Sequence, residues 1–524
     1  MKRLIIIFMI YPHFVFCQQN RWIEVIHDDI DAFGHSIIDY YDNGYLILGE
    51  FGHNYVHYNW LIKTDINGQL LWEKVIGEEI SFIDLDSQDI NIDGSIFVSG
   101  TATYYDNRGD PIVIKINTCG EKEWCRIFFT SDNYDYSLDV LSDDDNGCII
   151  LLNNTGPDSN YSSERITLAK LSDDGELIWY HSYLSSDTSM QAEIMFNILP
   201  TWESGYLLTG FCDYEDLNDP GRYVRKPYYI KTDSLGVFQW ETIVYKELPY
   251  IGGCAWTTTI NPDSTFFYSS ISNYYQSPSS SSPALLKMDF EGNVIGIYDV
   301  VSGYDYGKLS YATFVNDSTI AAEAGWGNSE DDLWSRAVII DTLGNLLNST
   351  VLMEDLYTSI LEVTYDGKLV YMSNTFQDGQ FDVYLTKLNQ NLEQDTFYTT
   401  PFVYDSLCPY PILSDTIIPD DCGLIVAVPE PPLTADRQPL TLSIWPNPAK
   451  EVIHLQFTDY NLQFAKENQL EIFDVFGRKI LSQAIPRNQD RLRLDISSFP
   501  AGLYIAIVKS GSSVAARGKF VVAR

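Results

Sequence analysis

The sequence predicts an all-β protein: a seven-bladed β-propeller followed by a small immunoglobulin-like β-sandwich. Three observations carry this. A unit of about fifty residues recurs between residues 21 and 400. Each unit is made of short strand patterns separated by Asp, Asn, Ser and Gly turn signals. A second strand-patterned block, unlike the repeat, begins at residue 442.

Taken in chain order, Lys2-Arg3 precedes an apolar run from Leu4 to Phe16. That run is too short to span a bilayer and suits the core of a signal peptide. Residues 1–17 are therefore expected to be removed by cleavage between Cys17 and Gln18. Phe16 is too large for the site that precedes an acylated cysteine, which argues against a lipid anchor on Cys17.

The propeller is expected over residues 18–422. One unit reads Asp42-Asn43-Gly44-Tyr45-Leu46-Ile47-Leu48-Gly49, then Trp60-Leu61-Ile62-Lys63-Thr64-Asp65-Ile66-Asn67-Gly68-Gln69-Leu70-Leu71-Trp72. The first element recurs seven times, from Gly44 to Gly367, at intervals of 49 to 59 residues. The second element carries Gly68 and Trp72, then Gly120 and Trp124, Gly175 and Trp179, Gly236 and Trp240. Gly is needed where the backbone turns with positive φ, the preceding Asp or Asn caps the turn, and one Trp per unit can pack between neighbouring sheets. Later copies drop the Trp, and the last has Leu392 where Gly stood. Trp22-Ile23-Glu24-Val25-Ile26 resembles Trp72-Glu73-Lys74-Val75-Ile76, so it competes with Gln394–Tyr398 to close the last blade. The turn is similar to the tryptophan-docking repeats of quinoprotein dehydrogenases, but their adjacent cysteine pair is absent and no quinone is expected.

Seven cysteines remain after Cys17. Export favours disulfides, although spacing does not give connectivity. Cys408 and Cys422, both in the irregular stretch before the linker, are the first expectation, and Cys119 with Cys125 the second. Cys148 and Cys212 read as buried free thiols. Residues 423–441, with Pro429-Glu430-Pro431-Pro432, read as a linker.

The block 442–524 alternates apolar and polar residues at Val452–Phe457 and has an apolar run from Leu503 to Val508. It opens with Pro446-Asn447-Pro448, turns at Gly477-Arg478, continues through Pro500-Ala501-Gly502-Leu503-Tyr504 and ends with Lys519 on a last strand. In that order these motifs resemble the type A sorting domain of the type IX secretion system of Bacteroidota. The resemblance covers residues 440 to 524. It implies export through a signal peptide to the periplasm, then delivery to the outer-membrane cell surface or the medium. It implies the secretion machinery and its sortase as partners, and removal of the domain within the linker.

Net charge is −39, from 33 basic and 72 acidic residues. From Ser443 on there are 11 Lys or Arg and 7 Asp or Glu, so the remainder holds 22 basic and 65 acidic residues, a balance of −43. Such a body is a poor partner for nucleic acid. Asp84-Asp86, Asp143-Asp144-Asp145 and Glu330-Asp331-Asp332 are candidates for structural calcium, though none has calcium-loop spacing. No other cofactor is expected. His53 and His57 lack a third ligand and read as loop residues. Tyr104-Tyr105, Tyr228-Tyr229 and Tyr274-Tyr275 are packing residues or exposed stacking surfaces. No catalytic motif appears. The expected function is binding of a glycan, peptide or other surface component through propeller loops. A secreted hydrolase or lyase and a structural or adhesion protein are the alternatives.

Overall fold

The computed structural model describes residues 23–26, 31–53, 56–77, 82–103, 109–129, 135–154, 165–185, 187, 189–202, 205–216, 221–248, 252–277, 280–328, 335–352, 356–377, 380–426, 442–457, 468–474, 479–485, 491–510 and 513–523. Among the described residues every regular element is a β-strand. Strand β1 spans Ile23–Ile26. A meander then repeats. Its first copy is β2 (Asp31–Asp39), β3 (Tyr45–His53), β4 (Val56–Thr64) and β5 (Leu70–Ile76). The second is β6 (Phe82–Ile90), β7 (Ile96–Thr103), β8 (Gly109–Ile116) and β9 (Lys122–Phe129). The third is β10 (Tyr136–Ser142), β11 (Cys148–Asn154), β12 (Arg165–Leu171) and β13 (Leu177–Tyr183). The fourth is β14 (Met190–Pro200), β15 (Tyr206–Glu215), β16 (Tyr223–Thr232) and β17 (Phe238–Ile243). The fifth is β18 (Gly252–Ile260), β19 (Phe266–Ser277), β20 (Ser280–Asp289) and β21 (Val294–Asp299). The sixth is β22 (Tyr306–Asn316), β23 (Thr319–Gly327), β24 (Arg336–Asp341) and β25 (Leu346–Val351). The last is β26 (Leu356–Val363), β27 (Leu369–Gln377) and β28 (Gln380–Leu388).

Each copy is a separate antiparallel sheet. The last sheet takes β1 as its fourth strand, with Ile23 opposite Thr386 and Ile26 opposite Val383. Of the two segments competing for that place the N-terminal one holds it, while Gln394 makes a single bridge to Leu388. The first strands touch in sequence, β2 to β6, β10, β14, β18, β22 and β26, and β26 touches β2. They therefore enclose an axis, and the cores lie between adjacent sheets.

The repeated residues explain how each sheet is tied. Asp65 Oδ1 accepts from the N–H groups of Asn67 and Gln69, both at 2.8 Å, and Gly68 sits at φ 79°. In three sheets the repeat lysine reaches the turn before the second strand: Lys63 pairs with Asp42, Lys170 with Asp143 and Asp145, and Lys387 with Asp366, and of these Lys63 and Lys387 are fully buried. The repeat tryptophan covers the glycine turn of the next sheet. A Cβ added at Gly175, Gly236 or Gly292 would come within 2.8, 2.7 and 3.1 Å of Trp124, Trp179 and Trp240. Trp124 and Trp240 also donate their indole N–H to Asp173 O and Phe290 O, at 2.8 and 2.9 Å. Trp72 departs from this pattern and donates to Asp405 Oδ2 at 3.1 Å.

Asp405 belongs to a tail that follows β28 and lies along the outer strands of the first two sheets. There β29 (Asp415–Ile417) pairs parallel with β5, and β30 (Gly423–Val426) pairs parallel with β9. Two disulfides sew it down, Cys119–Cys408 and Cys125–Cys422. This corrects both expected pairings, Cys408 with Cys422 and Cys119 with Cys125. The tail runs alongside the β8–β9 hairpin, so each of its cysteines meets one from the hairpin rather than its neighbour in sequence. It also corrects the start of the linker, because residues 423–426 are a paired strand. Cys148, Cys212 and Cys254 are buried free thiols.

The C-terminal block holds two sheets. One is β31 (Leu442–Trp445), β32 (Val452–Phe457) and β35 (Arg491–Asp495); the other is β33 (Asn468–Asp474), β34 (Lys479–Ile485), β36 (Gly502–Ser510) and β37 (Ser513–Val522). Ile453, Leu455, Leu470, Ile472, Ala506 and Phe520 share one core between them.

Candidate functional site

The innermost strands carry the site because each breaks its register at a bulge. The skipped residues are His35 on β2, Asp86 on β6, Leu138 on β10, Phe196 on β14 and Trp256 on β18. On β22 they are Tyr311 and Ala312, with Tyr311 at φ 49°. A bulge re-aims a side chain that regular alternation would send between sheets. The backbone opposite is adapted to it. A Cβ at Gly49, Gly100 or Gly210 would lie 2.3, 1.9 or 2.0 Å from the carbonyl oxygen of Phe33, Asp84 or Ile194. Asparagines hold the bulged strands from the sheet beside them. Asn59 accepts from Leu85 N at 2.8 Å and donates to Ile83 O, and Asn153 makes the same pair of bonds to Met195.

Two arcs result. Over the fourth, fifth and sixth sheets the arc is aromatic. The Phe196 and Trp256 rings lie 4.8 Å apart, and Trp256 meets Tyr311 edge-on at 6.5 Å. All three are partly exposed. Over the seventh, first, second and third sheets the arc is acidic, with Glu362, Asp39, Asp86, Asp89 and Asp139 on β26, β2, β6 and β10. Asp139 accepts from Ser87 Oγ and Ile198 N, both at 2.7 Å. Asp89 accepts from Ser142 N and Oγ at 2.6 and 2.7 Å. Asp39 Oδ2 accepts from Tyr365 N, and Glu362 accepts from the backbone of Asp39.

These carboxyls hold their protons well above the usual range. Burial, with the charges of Asp84 and Glu50 beside it, pushes Asp86 up to about 7. Burial raises Asp139 to about 7, and burial with Asp39 and Asp89 nearby raises Glu362 to about 8. Burial lifts Asp39 to about 6 against the hydrogen bond from Tyr365. His35, 4.0 Å from Glu50, is pushed down to about 4 by burial and is neutral at pH 7. The arrangement offers stacking faces on one side and hydrogen-bond acceptors that can take or give a proton on the other.

Of the residues singled out from sequence, Asp86 lies on the acidic arc and the others lie elsewhere. Gly68, Gly120, Gly175 and Gly236 occupy third-to-fourth-strand turns and their tryptophans the fourth strands, far along each sheet from the axial strand. Tyr228 and Tyr229 are fully buried. His53 and His57 fall in strands β3 and β4 rather than in a loop. Asp143 and Asp145 hold Lys170. Among the described residues no three His, Cys, Asp or Glu side chains converge as a metal site. Cys17, Gln18, Tyr104, Tyr105, Glu330, Asp331 and Asp332 lie outside the described residues, as do Gly477 and Arg478. Apart from Asp86, which was singled out only as an acidic cluster, the axial residues escaped sequence reading because a bulge breaks the alternation that marks a strand. Gly49, Gly100 and Gly210, inside otherwise apolar strands, were the available signal.

In the C-terminal block the separated motifs converge. Asn447 Oδ1 accepts from Val521 N at 2.9 Å, and Ala449 N donates to Val521 O at 2.8 Å. Tyr504 donates to Pro500 O at 2.9 Å and stacks on Phe520 at 5.5 Å. Pro446 and Pro448 both follow cis peptide bonds, Gly502 starts β36, and Lys519 pairs with Ile505.

Residues 443–523 match the secretion system C-terminal sorting domain family. The protein is thus a type IX secretion substrate, exported to the cell surface or the medium. No curated protein matches the sequence. Solved structures that align with the chain include a polysaccharide lyase, at 10% identity over 68% of this chain and 90% of that one, with a TM-score of 0.44. A periplasmic gluconolactonase from Pseudomonas aeruginosa is 12% identical over 68% of this chain and 98% of that one, at 0.38. A protein of unknown function from Dyadobacter fermentans is 11% identical over 71% and 98%, at 0.40.

Proposed function

We propose that this is an exported carbohydrate-binding protein. Its body, from residue 18 to 426, is read as a seven-bladed β-propeller closed by β1 and belted by the tail. A linker follows, and then an immunoglobulin-like sorting sandwich that engages the secretion machinery and its sortase. The observation that carries the reading is the run of Phe196, Trp256 and Tyr311 on three successive axial strands, which presents ring faces at the spacing of aromatic contacts. Sugar rings stack their C–H faces on such surfaces, and the carboxylates across the axis accept from hydroxyls. A second reading, a hydrolase or lyase, is favoured by Asp86, which titrates near neutrality beside Glu50, the carboxylate that neutral His35 also faces.

A glycan array on the purified protein tests the first reading. The expected result is saccharide binding that Trp256→Ala abolishes while circular dichroism stays unchanged. Binding only to peptides would reject it. Shortening of an arrayed sugar, lost in Asp86→Asn, would establish the second.

A further inference from the structure

We infer that Lys63 and Asp42 condense into an intramolecular amide, a covalent tie from β4 to the β2–β3 turn, with the Asp405 carboxyl of the tail relaying the proton. This bond is independent of whatever ligand the axial strands take.

The nucleophile and the electrophile are already in contact. Lys63 Nζ donates to Asp42 Oδ1, and the two side chains are 0% and 2% exposed. The Tyr40 ring lies 4.1 Å from Nζ and the Tyr404 ring 5.9 Å. Gly44 makes room for the lysine, since a Cβ there would come within 2.6 Å of Nζ and 2.2 Å of Thr64 O. Lys170 and Lys387 instead meet acids that water reaches, Asp143 at 24% and Asp366 at 20% exposure. A charged pair shut away from water carries a desolvation cost that a neutral amide does not. A nucleophile held against its electrophile also reacts at a very high effective concentration.

The tail supplies the remaining groups. Asp405, at φ 54°, donates its backbone N–H to Asp42 Oδ2 at 2.9 Å, while Gly44 N donates to Oδ1 at 3.1 Å. Asp405 Oδ2 accepts from Trp72 at 3.1 Å, and Asp405 Oδ1 is buried without a hydrogen-bond partner. Burial raises the Asp405 carboxyl above its ordinary range, with the Lys63 and Asp42 charges acting on it in opposite senses. Burial pushes the Lys63 ammonium down. Both shifts suit a neutral amine beside a proton acceptor.

The atoms balance without a co-reactant. The ammonium passes one proton to Asp42 Oδ1, leaving an amine and a carboxylic acid. Nζ attacks Cγ, the N–Cγ bond forms, and Oδ2 takes the negative charge against the Asp405 N–H. Asp405 takes a second proton from the nitrogen and returns it to Oδ1. The Cγ–Oδ1 bond breaks, water leaves, and the nitrogen keeps its last hydrogen as an amide.

Trypsin digestion of the full chain, read by mass spectrometry, tests this. The chain should resist cleavage after Lys63 and release residues 22–74 as one peptide, lighter than its sequence by one water. Cleavage after Lys170 and Lys387 is the digestion control. Lys63→Arg, which keeps the charge but forms no amide, should restore the cut and the full mass. Asp405→Asn should leave most of the peptide uncoupled. A 22–63 peptide of full mass from the unmutated chain would overturn the inference. The same peptide lighter by one water would place the loss in a cyclic imide at Asp42-Asn43 and overturn it too. Complete coupling in Asp405→Asn would overturn the relay.

Discussion

Asn374 on the last sheet grips Gly34 on the first through two hydrogen bonds, Gly34 N to Oδ1 at 2.8 Å and Nδ2 to Gly34 O at 2.9 Å. The same clasp at Asn59 and Asn153 joins consecutive sheets, but at Asn374 the partners are 340 residues apart. Asn374→Ala would leave a buried N–H and a buried carbonyl unpaired, at about 2–4 kcal/mol together. The denaturation midpoint of the body should fall accordingly. An unchanged midpoint would mean that the contact does not hold the ring.

The tryptophan-over-glycine contacts predict a contrast between two glycines. Gly175 has φ 75° and lies under Trp124, whereas Gly221 has φ 91° and nothing within 4 Å of an added Cβ. Alanine at Gly221 should cost about 1–2 kcal/mol, for the left-handed backbone alone. Alanine at Gly175 should cost about 1–3 kcal/mol more, because the indole must move. Equal losses in equilibrium unfolding would show that Trp124 does not press on the turn.

The belt predicts a redox-dependent change confined to the tail. Ser in place of Cys119 and Cys408, or of Cys125 and Cys422, should each lower stability by about 2–5 kcal/mol. Under reduction, limited proteolysis should open residues 399–426 before any axial strand. Proteolysis that begins in β2 or β6 would contradict this.

Stability should fall as pH rises from 6.5 to 8. Glu362 is raised from 4.5 to about 8 in the folded protein, so its contribution is complete below 4.5 and lost as pH climbs through 8. Asp86 and Asp139, raised to about 7, act in the same direction. His35, lowered from 6.5 to about 4, opposes them only below 6.5, where its contribution is lost as pH falls. Melting temperature against pH should therefore decline across 6.5–8, and Glu362→Gln should flatten the decline. An unaltered slope in the variant would show that Glu362 does not carry it.

Deleting residues 443–524 should leave the protein in the periplasm, as read by cell fractionation. Recovery of the truncated form at the surface would show that export does not depend on the sorting domain.

The turns were legible in the sequence because Gly68, Asp65 and Trp72 act within one hairpin, where spacing and geometry are the same thing. The closing strand was half legible: Trp22–Ile26 looks like a fourth strand, but only its pairing with β28 shows which sheet it completes. The disulfides were not legible, since Cys119 meets Cys408 across 289 residues of chain and no local pattern encodes the path of the tail. Nor was the axial site. His35 and Trp256 read as ordinary strand residues, and Asp86 as part of an acidic cluster for calcium, until the bulges set them apart.

The belt also decides how the molecule bears load. A pull on the chain beyond residue 426 would reach Cys422 first and pass through its disulfide into β9, then through Cys408 into the turn at Cys119. The segment from Leu388 to Asp405 stays slack, and β28 is not peeled from its neighbours. A protein tethered at the surface by its carboxyl end would hang from covalent bonds rooted in its second sheet, with the strands around the axis shielded from shear.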